Sequence, residues 1–414
     1  MSEQPVDRVR RLLHERGVDD RTIDASLMSG RIGLLAMEHL ALPEGPRYTP
    51  VEVAALAGIP YEATARLWRA LGFPSVPVDE DSFTDYDLAA LATLNRLMER
   101  GFADEDTAVL FARVLGSSMA RVAETEVGVE TGRRTTEAER IELADALLSS
   151  PENLFDLIAD LLVYVWRRHL QAAVRRAMVV ERVDEAGTVV QLAVGFADLV
   201  GYTALSQQIS DEALGHLVSR FEEIARDVVT AGGGRVVKMI GDEVMFVVED
   251  TGSAARIALT LADVFAGDDM LSDVRVGLAY GPVLAQEGDY FGPVVNRASR
   301  LVNLAYPSTV VVSEDINGAL VDTPEFAWKS LRNRHVKDIG SIPLWVLYRT
   351  GDEPRGGRRR FRPLKTLLSE SGFAHAEEGG AGRADPPPPK PKKASRARKG
   401  SRAEAKSGDL PRSE

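Results

Sequence analysis

The chain has 414 residues, 44% hydrophobic and 27% charged, enough for two or three domains each with its own core. It contains no cysteine, which excludes disulfides, zinc–thiolate sites and thiol catalysis together and is compatible with a reducing cytoplasm. The net charge of −12 is unevenly spread: residues 351–414 carry 16 Lys/Arg against 9 Asp/Glu, which leaves an acidic body and disfavours nucleic acid as a partner.

No basic segment followed by an apolar stretch opens the chain. The longest apolar run, Leu161–Trp166, is too short to span a bilayer, so a soluble, cytoplasmic protein is expected.

Residues 1–180 read as nearly all helix. Val6–His14, Ile23–Met28 and Ile32–Leu40 have helical spacing, and Pro43, Gly45 and Pro46 end the run. Val51–Ala57 and Tyr61–Leu71 flank the turn Gly58-Ile59-Pro60, the outline of a helix-turn-helix. Phe83–Met98 and Ala108–Val122 are further amphipathic stretches, then come Glu137–Leu148 and a long segment over Asn153–Met178.

Near Val179 the period changes from helical to alternating. Val179–Val183 and Thr188–Ala197 read as strands about the turn Asp184-Glu185-Ala186-Gly187. Thr203–Val229 is helical, with Ser210 as a start signal, and Gly232-Gly233-Gly234 breaks it. Arg235–Ile240 and Val244–Val248 are strands joined by Gly241-Asp242, a tight-hairpin signal. Ser253–Phe265 and Val294–Leu304 are helices; Val274–Tyr280, Thr309–Val312, Phe326–Lys337 and Leu344–Tyr348 are strands. This order predicts an α+β domain, helices packed on one mainly antiparallel sheet. The Pro/Ala/Lys/Arg-rich segment 351–414 is expected to be a disordered tail.

Two aspartates end apolar, strand-like runs: Asp198 after Val194-Gly195-Phe196-Ala197, and Asp242 after Met239-Ile240-Gly241. Each alone reads as turn chemistry. As a pair they are suited to two hard divalent cations, Mg²⁺ or Mn²⁺, in a two-metal phosphoryl-transfer site. Between them and the next helix lies Leu199–Thr203, a Gly201-containing loop whose backbone N–H groups suit phosphates. Lys238 and Asp289 read singly as an edge lysine and a loop aspartate; together they supply a donor and an acceptor matched to adenine. Asn296 and Arg300 lie four apart on a predicted helix, a face that suits a ribose and a charged phosphorus centre or is simply exposed.

These residues carry a resemblance. Phe196-Ala197-Asp198-Leu199-Val200-Gly201-Tyr202-Thr203, Lys238-Met239-Ile240-Gly241-Asp242 and the run from Asp289 to Arg300 resemble class III nucleotide cyclases of the bacterial homodimeric branch, over roughly residues 190–350. The resemblance implies a ferredoxin-like cyclase domain over residues 181–350 that converts ATP to 3′,5′-cyclic AMP and pyrophosphate. It implies metal ligation by Asp198 and Asp242 with Leu199, adenine selection by Lys238 and Asp289, and a transition-state pair in Asn296 and Arg300. Lys337 is similar to a phosphate-contacting lysine, although Asp338 follows it where glycine is usual. The substrate contacts also include Phe196, Leu199, Val200, Gly201, Tyr202 and Thr203. In this family metal and purine residues come from opposite subunits, so a homodimer with two composite sites is expected.

Residues 1–180 resemble the helical regulatory domain of autoinhibited, pH-responsive bacterial cyclases, with 153–178 as a linker helix and His169 as the best-placed proton sensor among His14, His39, His216 and His335. Two other readings stand beside this one. The helix-turn-helix outline fits a DNA-binding regulator with a nucleotide-sensing domain, though its second helix lacks a dense basic face. A diguanylate-type cyclase uses a related hairpin, but here that hairpin reads Ile240-Gly241-Asp242-Glu243-Val244.

Overall fold

A computed structural model of the chain describes residues 3–42, 45–133, 136–178, 188–336 and 340–352. The amino-terminal half is helical: α1 (Pro5–His14), α2 (Asp20–Met28), α3 (Ile32–Ala41), α4 (Pro50–Ala57), α5 (Tyr61–Ala70), α6 (Asp85–Glu99), α7 (Glu105–Arg133), α8 (Glu137–Ser149) and α9 (Leu154–Ala177). Short polar side chains start several of these helices. Thr49, Thr84 and Thr136 each form a reciprocal capping box with the acid three residues on, and Asn153 caps α9. Two apolar cores result, one from Leu13, Ile23, Ile32 and Leu147, the other from Val53, Leu67, Phe83, Leu91 and Ala112. A small pair of strands, β1 (Arg47–Tyr48) and β2 (Phe83–Thr84), was not anticipated from sequence; at two residues each it is too short to show a period.

The helix-turn-helix outline is real as α4 and α5, but one of the two arginines of α5 is committed internally. Arg66 donates to Glu105 and Asp106 at the start of α7. Trp68 packs on Phe73 and Phe83 and donates to the Pro74 carbonyl. α9 is different again: none of its residues is buried, and Leu157, Leu161, Tyr164 and Trp166 are exposed. Among the described residues no helix is long and apolar enough to cross a membrane.

The second half is an eight-stranded sheet with helices on both faces. Its elements are β3 (Val189–Leu199), α10 (Tyr202–Ser206), α11 (Asp211–Ala231), β4 (Arg235–Ile240), β5 (Glu243–Val248), α12 (Thr251–Gly267), β6 (Val274–Gln286), β7 (Asp289–Phe291), α13 (Pro293–Val302), β8 (Thr309–Val312), α14 (Glu314–Leu320), β9 (Phe326–Val336) and β10 (Gly340–Arg349). The strand order is β4-β5-β3-β6-β8-β10-β9, with β7 on β6. Every pairing is antiparallel except β6 with β8, as the α+β reading expected. One face buries Phe221, Leu261, Phe265 and Phe246 under α11 and α12; the other buries Val194, Phe196, Met245 and Ala298 under α13.

Several elements differ from the sequence reading, among them α7, which runs over Glu105–Arg133 where Ala108–Val122 was expected. The helix expected over Thr203–Val229 is two helices, broken before Ser210, whose hydroxyl accepts from Ala213 N–H to begin α11. β6 runs on to Gln286 through Gly281 and Pro282, residues that mimic a strand end, and turns into β7. α14 was missed because seven residues hold too few apolar positions to show a period. The strand expected at Val179–Val183 and the tail beyond residue 352 lie outside the described residues.

Candidate active site

Asp198 stands next to last in β3, with Glu243 of β5 beside it on one side and Arg275 of β6 on the other. The Arg275 guanidinium donates to its carboxylate. Asp242 occupies the two-residue turn between β4 and β5, where Ile240 pairs with Glu243. Gly241 takes the first turn position at φ 64°, a conformation open to glycine without strain. The two aspartates are drawn together by the backbone: Leu199 N–H donates to the Asp242 carbonyl at 3.0 Å, tying the end of β3 to the turn.

Crowding of like charge is visible in the protonation equilibria. Burial raises the Asp242 pKa, and the charge and hydrogen bonding of Asp198 raise it further, against its own backbone N–H and Arg275. Glu243 is pushed up to about 7, first by burial and then by the charges of Asp198 and Asp242. Among the described residues no group of three or more His, Asp or Glu converges as a ligand set. An all-oxygen pair of carboxylates beside Arg275 fits hard divalent cations that take their remaining ligands from phosphate oxygens and water.

Lys238 and Asp289 are also brought together, Nζ to Oδ2 at 2.5 Å. A β-bulge makes this contact. Val236 pairs with Phe246, but the next paired residue is Lys238, opposite Met245, so Val237 is extra. Simple alternation would put Lys238 with Val236 on the face under α11 and α12; the bulge transfers it to the α13 face beside Met245. The Asp289 carboxylate is fixed on its other oxygen by Tyr290 N–H at 2.8 Å, and Arg235 donates to the Tyr290 hydroxyl at 2.6 Å. Register across β4, β5, β3 and β6 aligns Lys238 with Gly277, nine residues before Gln286, the partner of Asp289. A straight strand would carry nine residues about 30 Å away. The far ends of β3 and β6 therefore curl over the sheet with β7, as the packing of Val190, Val237 and Tyr290 on one core confirms.

Asn296 and Arg300 lie on α13, Asn296 exposed and Arg300 half-buried, while Val294, Ala298, Leu301 and Val302 face the sheet. α13 rests directly on β6: a Cβ at Gly277 would lie 2.5 Å from the Ala298 carbonyl oxygen and 2.5 Å from the Val302 nitrogen. In the loop after β3, Val200 N–H donates to the Asp273 carbonyl at 2.9 Å, Gly201 caps α10, Tyr202 packs on the core and Thr203 is exposed. The side chains of Phe196 and Leu199 are buried, and Phe196 is paired on both sides within the sheet. Lys337 lies outside the described residues. Sequence reading missed Arg275, Arg235 and Tyr290, whose partners sit on other strands; no local pattern marks such contacts.

Residues 185–349 match the family described as the adenylate and guanylate cyclase catalytic domain, and residues 3–146 match the adenylate cyclase regulatory domain. The chain is 36% identical over 346 residues to an adenylate cyclase of Streptomyces coelicolor, covering 76% of this chain and 89% of that one. The chain belongs to the adenylate cyclase family. This cyclase is also 36% identical to an adenylate cyclase of Glutamicibacter nicotianae, over 72% of its own length and 77% of the relative's. A pH-sensitive adenylate cyclase of Mycobacterium tuberculosis is 32% identical over 76% of this cyclase and 82% of that protein. The catalytic match favours the nucleotide cyclase reading over the diguanylate-type alternative.

Proposed function

We propose that this cyclase converts ATP to 3′,5′-cyclic AMP and pyrophosphate. The 3′-oxygen of the ribose attacks the α-phosphorus, the bond to the bridging oxygen of the β-phosphate breaks, and the 3′-hydroxyl proton is lost to solvent. The observation that carries the reading is the convergence of Asp198 and Asp242 at one end of the sheet, with the clamped Lys238–Asp289 pair on the same face as α13.

Asp198 and Asp242, with the Leu199 carbonyl, would hold two divalent cations, Mg²⁺ or Mn²⁺. Bound there, such ions lower the pKa of the attacking hydroxyl and neutralise the phosphates. Lys238 donates to a ring nitrogen of adenine while Asp289 accepts from its amino group. Asn296 orients the ribose and Arg300 offsets charge growing at the phosphorus. The loop from Leu199 to Thr203 and Lys337 complete the phosphate contacts, with Phe196 supporting them from the core.

We further propose a homodimer in which the metal residues of one subunit work with the purine and α13 residues of the other. The exposed apolar residues of α9 support a partner for that helix. Residues 1–180 are taken as the regulatory unit, with 153–178 as its linker, 181–350 as the catalytic unit and 351–414 as a separate basic tail. ATP supply places the work in the cytoplasm. By analogy with the pH-sensitive relative, the regulatory unit responds to protons, and His169, exposed on α9, is the first residue to replace. A pH profile unchanged in His169→Ala discards that residue as the sensor.

The test is product analysis with full-length protein, ATP or GTP, and Mg²⁺ or Mn²⁺. Cyclic AMP from wild type and none from Asp198→Asn is expected; ATP left intact by wild type with either metal overturns the reading.

A further inference from the structure

Among the described residues, an ion pair between the regulatory and catalytic halves falls on the hairpin that carries Asp289. Arg113, in the first third of α7, donates to Glu287 Oε1 at 2.8 Å. Glu287 and Gly288 form the turn between β6 and β7, with Gln286 paired to Asp289. Both turn residues have positive φ, 53° and 79°, so Glu287 adopts a left-handed conformation uncommon for a residue with a side chain. Ala173, Arg176 and Ala177 of α9 line a cavity of about 470 Å³ together with Gln286–Tyr290 and residues of β3, β4 and β5. Beyond the turn the links are short and polar throughout. Asp289 is held by Lys238 and by Tyr290 N–H, and Tyr290 by Arg235, which also lies over its ring at 5.2 Å.

We propose that Arg113 is a positioning residue for base recognition: by holding Glu287 it sets the β6–β7 turn, and through that turn the orientation of the Asp289 carboxylate toward the purine. This rests on the proposed role of Lys238 and Asp289 and deepens it, because it connects the helical half to substrate selection without a side chain of that half entering the site. Arg113 is half exposed, its side chain at 56% against 28% for Glu287, so the ion pair is an adjustment of modest size. A contact of that strength suits control of selectivity better than an on–off switch.

The test uses full-length Arg113→Glu, Glu287→Arg and the double charge swap, with steady-state kinetics on ATP and GTP and thermal melts. Each single reversal is expected to raise the KM for ATP about threefold and to narrow the preference for ATP over GTP, with kcat within about twofold and the melting temperature unchanged. The swapped pair is expected to recover wild-type KM and selectivity. A purely structural contact would instead lower the melting temperature and kcat with selectivity intact, which overturns the proposal. So do single reversals with wild-type KM and selectivity, or a swap as impaired as its two parts combined. Wild-type protein that forms no cyclic product overturns the proposed function itself, whereas an active wild type beside indifferent variants overturns the Arg113 role alone.

Discussion

Lys238 meets Asp289 through one supernumerary residue, Val237, and that contact is the most specific chemical feature of the site. Replacing Asp289 by Asn takes away the carboxylate proposed to accept from adenine and the ionic partner of Lys238. The KM for ATP should rise about tenfold or more and the ATP-to-GTP selectivity should fall, since a site built around hydrogen bonds loses most when one is left unmade. Initial rates on both nucleotides decide it, and unchanged selectivity refutes it. Glu243 supports a prediction about pH. Its folded pKa is pushed up to about 7 by burial and by the Asp198 and Asp242 charges, above its unfolded value. The folded chain therefore binds this proton more tightly, and metal-free protein loses stability as pH rises from about 4.3 through about 7. Glu243→Gln should melt higher than wild type at pH 8 in chelator, with the gap closing toward pH 5. Equal melting temperatures at pH 8 would be the contrary result.

At the scale of elements, the position of α13 depends on an absent side chain. Gly277 in β6 lets the α13 backbone come down onto the strand, which fixes where Asn296 and Arg300 project. Gly277→Val should push the helix off the sheet at a cost of about 1–3 kcal/mol, with the fold retained. Activity should fall at least about tenfold, because a misplaced group near the reacting atoms is costly far beyond its effect on stability. Circular dichroism and cyclic AMP assays on the same preparation check both halves of the statement; wild-type activity in Gly277→Val refutes it. Long, capped helices such as α8 and α9 were legible in sequence almost to the residue, because their spacing repeats over several turns. β7 and α14 were not, since three and seven residues cannot establish a period.

For the whole molecule, the proposed composite sites have an arithmetic consequence. On that proposal Asp198→Asn spoils the metal half of a site, and Arg300→Ala spoils the α13 half. Each variant alone should be inactive. Mixed in equal amounts and allowed to exchange subunits, they should regain about a quarter of wild-type activity, since half the dimers are mixed and each mixed dimer has one intact site. No recovery in a mixture shown to exchange would remove the composite site. The proposed dimer makes a second prediction for the exposed apolar residues of α9, including Leu161 and Trp166: replacing both by Gln should weaken subunit association in sedimentation.

Taken alone, the order of residues singled out the candidate side chains: the aspartates at 198 and 242, Lys238, Asp289, Asn296 and Arg300 stand in motifs whose spacing survives without coordinates. It also determined the α+β class, because apolar periodicity is a local property of the chain. Only the tertiary structure decided how those residues face one another. The bulge at Val237 reverses a strand face, the curl of β3 and β6 returns Asp289 to Lys238, and Arg275, Arg235 and Arg113 find their partners across 77, 55 and 174 positions of sequence. Contacts between strands and between halves of the molecule depend on register and packing, which no short window of sequence contains.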